Sequence, residues 1–283
     1  MNHLYILTVF SLLINCSNDK IVSSEFYENT NTLRSKIIII EQEIDNQLVN
    51  RPVIIRTLEE IDTLKKYPVV IAFHGRGGSN SSWVNILKEF TDSGDFIGVY
   101  PQGYLKSWNL GTEPSNANDV DFIKKIIREL YNYDNIDTTR IFAIGASNGA
   151  GMVNLLGSKT NYFKGLAPIA SQLITSIDVT NQTDPVSILQ INGAQDNTVP
   201  INGGSRFGHT FLDAYQSVVI WATQFECNLD PNVSENELSI RYQFSECLDE
   251  ITIEYLRIEN AGHNVAENYP QIWEVIWNYF NNL

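Results

Sequence analysis

The chain has 283 residues, 43% of them hydrophobic, with 19 Lys and Arg against 33 Asp and Glu for a formal net charge of −14. That length and apolar content allow a full core, and one domain of this size is ordinary for folds that alternate strands and helices. A field of this sign repels phosphate backbones and anionic headgroups, so it excludes nucleic acid as a partner and is accounted for by solubility.

The first feature in chain order is an apolar run, "LYILTVFSLLIN", followed by polar "CSNDK". The run is too short to span a bilayer comfortably and reads as an export signal over residues 1–16, although no Lys or Arg stands ahead of it. Cys16 sits where a bacterial lipoprotein would be processed and lipidated, with Asn15 in place of the usual small residue. A lipid there would be the chain's single attachment to a membrane. The competing reading is a buried N-terminal helix. Residues 17–35 read as a polar linker, and 36–283 as the catalytic domain.

"KIIIIEQEI" and "RPVIIRTL" read as two strands joined by a turn at "DNQ". "YPVVIAFHG" and "DFIGVYPQG" are continuous apolar runs, the mark of strands buried on both faces. Between them "SNSSWVNILKEF" carries helix caps and helical spacing. "DVDFIKKIIRELYNY" places Val120, Ile123, Ile127 and Leu130 on one helical face. Asp119 and Asp121 at its start read as capping residues. "RIFAIGA" is a strand and "NGAGMVNLLGSK" a helix. "FKGLAPIAS" and "PVSILQING" are strands, "DAYQSVVIWATQF" a helix, "ITIEYLRI" a late strand and "QIWEVIWNYF" a closing helix. Strict alternation predicts an α/β fold, a mostly parallel central sheet with helices on both faces.

Two cysteines remain, Cys227 and Cys247, separated by polar "NLDPNVSENELSIRYQFSE", which reads as a loop with no core of its own. In an exported chain a spare pair tends to close, and such a disulfide contributes roughly 3 kcal/mol. Neither cysteine belongs to a C-x-x-C pair and no histidine is close, so no metal is implied.

The chemistry concentrates at "FAIGASNGAGM". A G-x-S-x-G match arises by chance in roughly one chain of this length in ten. Context gives it weight: a buried strand, a tight turn at Ser147 and a helix form a nucleophile elbow. Side chains two residues before and two after the serine would collide, hence Gly145 and Gly149. The following helix aims its N-terminal N–H groups at a developing negative charge.

A serine needs a base, and the base needs an orienting acid. The chain has four histidines. His3 lies in the signal, and His74 precedes the serine at a strand end, where it reads as structural. Downstream, Asp196 is the one acid in "LQINGAQDNTVP", and His263 follows the last strand in "LRIENAGHN". Ser147, Asp196 and His263 thus fall in the order serine, acid, histidine. His209, in "GGSRFGHT", reads as a residue that caps or solvates a loop, with a minor claim to be the base. The oxyanion site would take the backbone N–H of Asn148 and one from the "FHGRGGS" loop, for which Arg76 is the candidate. The Arg76 side chain also offers a cation to a substrate carboxylate. Trp108 in "KSWN" divides evenly between lining the substrate pocket and packing behind the elbow.

"PVVIAFHGRGGS", "VYPQGYLKSWN", "NDVDFIKKII", "DTTRIFAIGASNGAGM", "INGAQDNTVPINGG" and "AGH" run in order over most of the chain. Together they resemble the exported α/β-hydrolases that include polyhydroxybutyrate depolymerase-like esterases and feruloyl or acetylxylan esterases. The resemblance implies an α/β-hydrolase fold and a cofactor-free serine carboxylesterase, with Ser147 as nucleophile, His263 as base and Asp196 as orienting acid. It implies a Cys227–Cys247 disulfide, and as partner an ester on polysaccharide or polyester. The chain departs from the family after the histidine, where "HNVAENYP" replaces the usual aromatic and glycine, in a region that lines the pocket of such folds. Two rivals remain. "GRGGSN" resembles a dinucleotide loop, but it follows a third predicted strand rather than a first. A non-catalytic carbohydrate-binding protein on a hydrolase fold would carry the same residues as relics.

Overall fold

The computed structural model describes residues 31–283. The segment read as an export signal, with His3 and Cys16, and most of the stretch read as a linker lie outside them. The first described residues are fastened down. Leu33 is fully buried, and its backbone exchanges hydrogen bonds with the Asn135 carboxamide at 2.8 and 3.1 Å. The stretch read as linker is therefore, over 31–35, part of the packed body.

β1 (Lys36–Ile44) and β2 (Gln47–Arg56) form the expected hairpin. Asp45 and Asn46 both take positive φ at its turn, the geometry that matches strand twist. β3 (Tyr67–Phe73) follows. The single helix expected next is two, α1 (Ser81–Ile86) and α2 (Lys88–Ser93), because Leu87 leaves helical dihedrals between them. Then come β4 (Ile97–Pro101), α3 (Asp119–Leu130), β5 (Ile136–Ala146), α4 (Asn148–Lys159), β6 (Gly165–Ile169) and β7 (Ser187–Gly193). A small hairpin, β8 (Gly204–Arg206) and β9 (His209–Phe211), precedes α5 (Ala214–Gln224). β10 (Asn232–Glu235), β11 (Ser239–Phe244), β12 (Ile253–Ile258), α6 (Val265–Asn268) and α7 (Ile272–Asn281) complete the chain.

One ten-stranded sheet runs β1-β2-β4-β3-β5-β6-β7-β12-β11-β10. Its middle, β4 to β12, is parallel, and both flanks are antiparallel. The buried strands feed two cores by simple alternation. Val69, Ile71 and Phe73 pack with α3, α4 and α5, whereas Val70 and Ala72 pack with Trp83, Phe142 and Phe280 on the opposite face. This is the layered α/β architecture, and the fold is that of the α/β-hydrolases.

The segment between the cysteines corrects an expectation. It is the β10–β11 hairpin that extends the sheet, not a loop. Tyr242 on β11 stacks on Tyr255 of β12 at 5.8 Å, and Phe244 is buried. Edge strands carry polar residues on their open side, which masks them in a hydropathy reading. The Cys227–Cys247 disulfide is formed and ties the end of α5 to this hairpin.

Candidate active site

Parallel strands end on the same side of a sheet, so loops that follow them converge there. Arg76 follows β3, Ser147 follows β5, Asp196 follows β7 and His263 follows β12. The registers level these ends, with Phe73 beside Gly145 and Gly193 beside Ile258.

Ser147 has φ 56° and ψ −119°, a conformation that costs an L residue about 1–3 kcal/mol and throws the side chain clear of the sheet. The glycines flanking it are sterically required. A Cβ on Gly145 would stand 2.2 Å from the Gly149 carbonyl oxygen, and one on Gly149 would stand 2.2 Å from that of Phe73.

The structure brings the three residues of the expected triad together. His263 Nε2 lies 2.9 Å from Ser147 Oγ, and His263 Nδ1 lies 2.7 Å from Asp196 Oδ2. The other Asp196 oxygen accepts the Thr198 and Val199 backbone N–H groups at 2.8 and 2.9 Å. Asp196 is therefore fixed, buried and aimed, and it holds the imidazole with Nε2 toward the serine. The backbone N–H groups of Asn148 and Arg76 make no hydrogen bond among the described residues, which leaves both free to meet an oxyanion. Gly75 brings the Arg76 loop against the serine: a Cβ there would lie 3.5 Å from Ser147 Cβ.

Other expectations change. Trp108 is 0% exposed and packs edge-on against Phe73 at 5.1 Å, with its indole N–H donated to the His74 carbonyl at 2.8 Å. It is a core residue behind the elbow and lines neither of the two cavities beside Ser147 and His263. His74 is structural as read. Its Nδ1 faces the Gly75 carbonyl at 2.8 Å, and its Nε2 accepts the Gly103 N–H at 3.0 Å. Burial lowers its pKa, keeping the ring neutral.

His209 is not a solvated loop residue. It is 6% exposed, and its Nε2 lies 2.9 Å from Glu113 Oε1 and 2.8 Å from Thr112 Oγ1. Arg76 Nη2 reaches the same Glu113 oxygen at 2.9 Å, while the rest of the guanidinium stays half-exposed beside the cavity at Ser147. Burial pushes the Glu113 carboxyl up, but hydrogen bonds from His209, Leu110 and Thr112 and the His209 charge outweigh it and hold the group below the usual carboxylate value. Glu113 escaped sequence reading: it sits in an irregular loop, and its partners are 37 and 96 positions away.

Replacing His209 by Ala should leave this buried carboxylate one donor short. The expected cost is about 1–3 kcal/mol, read as a lower urea midpoint with an unchanged slope. A midpoint equal to wild type would mean that water replaces the imidazole without loss.

Two cavities flank the triad. One, of about 380 Å³, is lined by Leu110, Val199, Phe207 and Phe211 and reaches Ser147, Asn148 and His263. The other, of about 420 Å³, lies against His263, Asn264 and Val265 and is walled by Trp83 and Trp273. The first half of the "HNVAENYP" stretch, residues 263–266, thus lines the second cavity.

An α/β-hydrolase with serine, histidine and aspartate in hydrogen-bonded sequence at the strand ends is the class that fold and geometry define. No protein-family model matches the chain. Among curated proteins it is similar to feruloyl esterase B of Piromyces equi, 29% identical over 216 residues, which are 70% of this chain and 40% of that protein. It is also similar to feruloyl esterase C of Emericella nidulans, 29% identical over 175 residues, 59% of this chain and 63% of that one. The chain thus spans less than two thirds of the length of either relative. Among solved structures, an acetyl xylan esterase from Aspergillus awamori superposes with a TM-score of 0.62 at 14% identity, covering 87% of this chain and 99% of that one. That likeness concerns the fold.

Proposed function

We propose that the chain is an exported serine carboxylesterase acting on acyl groups linked to polysaccharide, or on a related polyester. The observation that carries this reading is the Asp196–His263–Ser147 relay at 2.7 and 2.9 Å at the mouth of two cavities. Similarity to the feruloyl esterases supports the ester as substrate.

Ser147 Oγ attacks the ester carbonyl carbon while His263 Nε2 takes its proton. Charge builds on the carbonyl oxygen, where the Asn148 and Arg76 N–H groups and the positive end of α4 meet it. The carbon–oxygen bond to the alcohol breaks as His263 returns the proton to that oxygen. Water, deprotonated by His263, then attacks the acyl-enzyme and frees the acid and Ser147. The cavity shared by Ser147 and Asn148 suits the acyl group, and its apolar walls and volume favour an aryl acyl group over acetyl. The cavity beside His263 suits the departing alcohol. Export rests on the apolar N-terminal run, with the disulfide in keeping. Lipid attachment at Cys16 belongs to the same reading, and palmitate labelling in a bacterial host tests it.

A fluorophosphonate probe should label the wild-type protein once, on the Ser147 peptide, as read by mass spectrometry. A panel of methyl ferulate, acetylated xylan and hydroxybutyrate oligomers then ranks the substrates. Protein that neither labels nor hydrolyses any of them, yet binds xylan, would establish the non-catalytic carbohydrate-binding alternative.

A further inference from the structure

Glu113 has no part in the relay, yet five donors converge on it. Its side chain is fully buried. Oε1 accepts from Arg76 Nη2 at 2.9 Å, His209 Nε2 at 2.9 Å and Asn148 Nδ2 at 3.3 Å. Oε2 accepts the backbone N–H groups of Leu110 at 2.7 Å and Thr112 at 3.3 Å. Three of these donors come from separate segments: the loop after β3, the elbow and the β8–β9 hairpin. Two of them, Arg76 and Asn148, are the residues whose backbone N–H groups would hold the oxyanion. The Asn148 carboxamide is further locked to the same loop, accepting from Trp108 N at 2.8 Å and Ser107 Oγ at 3.2 Å and donating to Trp108 O at 3.0 Å.

We propose that Glu113 is a positioning residue for the oxyanion site: one buried carboxylate sets the separation of the two backbone donors by holding both of their side chains. The proposal rests on the serine-esterase reading. Chemistry gives it a distinctive sign. A carboxylate near a developing negative charge is unfavourable as electrostatics alone, and Arg76 compensates for it. Replacing Glu113 by Gln removes that negative charge and leaves the Arg76 cation, so pure electrostatics predicts faster acyl transfer. It also turns an acceptor-only group into one with an NH2 facing the donors, so positioning predicts slower transfer.

The experiment compares Glu113→Gln and Asn148→Ala with wild type on p-nitrophenyl acetate. It also measures inhibition by a trifluoromethyl ketone, whose carbonyl accepts Ser147 Oγ to give a tetrahedral oxyanion. Asn148→Ala keeps the backbone donor, removes the tether and changes no charge, so it stands in should the glutamine variant fail to fold by circular dichroism and melting. In each folded variant kcat is expected to fall about ten- to a hundredfold, because small misplacement of an oxyanion donor is costly. Ketone affinity should fall in parallel while KM stays within about twofold of wild type, as for an interaction made only in the transition state. Unchanged or faster kcat in the folded variants would overturn the proposal while Ser147 labelling in wild type upholds the esterase reading. Absence of that labelling would overturn both.

Discussion

Ser147→Ala is expected to lower p-nitrophenyl acetate hydrolysis on the order of 10^6-fold while the protein melts as wild type does. The size of the effect follows from geometry. His263 Nε2 has Ser147 Oγ as its partner at 2.9 Å, and a methyl group gives it nothing to deprotonate. His263→Ala should cost about as much, since the serine hydroxyl is inert without a base. Asp196→Ala should cost less, on the order of 10^4-fold, because it orients a base that remains present. The three losses should not add: Ser147→Ala with His263→Ala should be no slower than either alone. Alanine inherits the backbone strain of Ser147 unchanged, so stability gives no competing explanation. Hydrolysis within about tenfold of wild type in Ser147→Ala would remove the relay from the mechanism.

What the sequence carried and what it hid divide along physical lines. Buried parallel strands announce themselves as unbroken apolar runs, so β3, β4, β5, β6 and β7 are legible, as are α3 and α4, whereas the break at Leu87 that divides α1 from α2 is not. Steric need at the elbow is local, which made Gly145, Ser147 and Gly149 readable as a unit. Asp196 and His263 were legible because each is the polar residue of its kind just beyond a buried strand. Trp108 was ambiguous because an apolar ring suits a core and a pocket equally, and its depth is set by His74 and Phe73, 34 and 35 positions away. Glu113 and Arg76 lie in loops of no period and His209 on the three-residue strand β9, too short to show a period, so pattern reading has no purchase on contacts among them. The β10–β11 hairpin is hidden because β10 is exposed along its whole length and β11 is fully buried only at its two ends, so neither shows an apolar run.

The largest effect on stability should come from a pair that capping arguments misread. Asp119 does not cap α3; Asn118 does, accepting the Asp121 N–H at 3.0 Å. Asp119 instead meets Arg51 at 2.7 Å with both side chains almost fully buried. Arg51 lies over the Phe122 ring at 3.5 Å and also donates to Gln42 and the Gln102 carbonyl. Asp119 Oδ2 accepts the Asn109 N–H at 2.7 Å. The pair thus joins the β1–β2 hairpin, α3 and the loop that carries Trp108 behind the elbow. Burial raises the Asp119 pKa against the pull of Arg51, and burial lowers that of Arg51 against the pull of Asp119. Each charge is tolerated at that depth because of the other. Asp119→Ala would leave a guanidinium uncompensated in the core, and the expected loss is about 3–5 kcal/mol in urea unfolding. Arg51→Met should lose a similar amount by stranding the carboxylate. Arg51→Met combined with Asp119→Leu should recover much of it, because removing both charges removes the desolvation penalty with the attraction. Single variants that lose less than about 1 kcal/mol would mean that water reaches the pair and screens it as at a surface. A double variant as unstable as the sum of the singles would mean that the hydrogen bonds to Gln42, Gln102 and Asn109, and not the charge pairing, hold these three segments together.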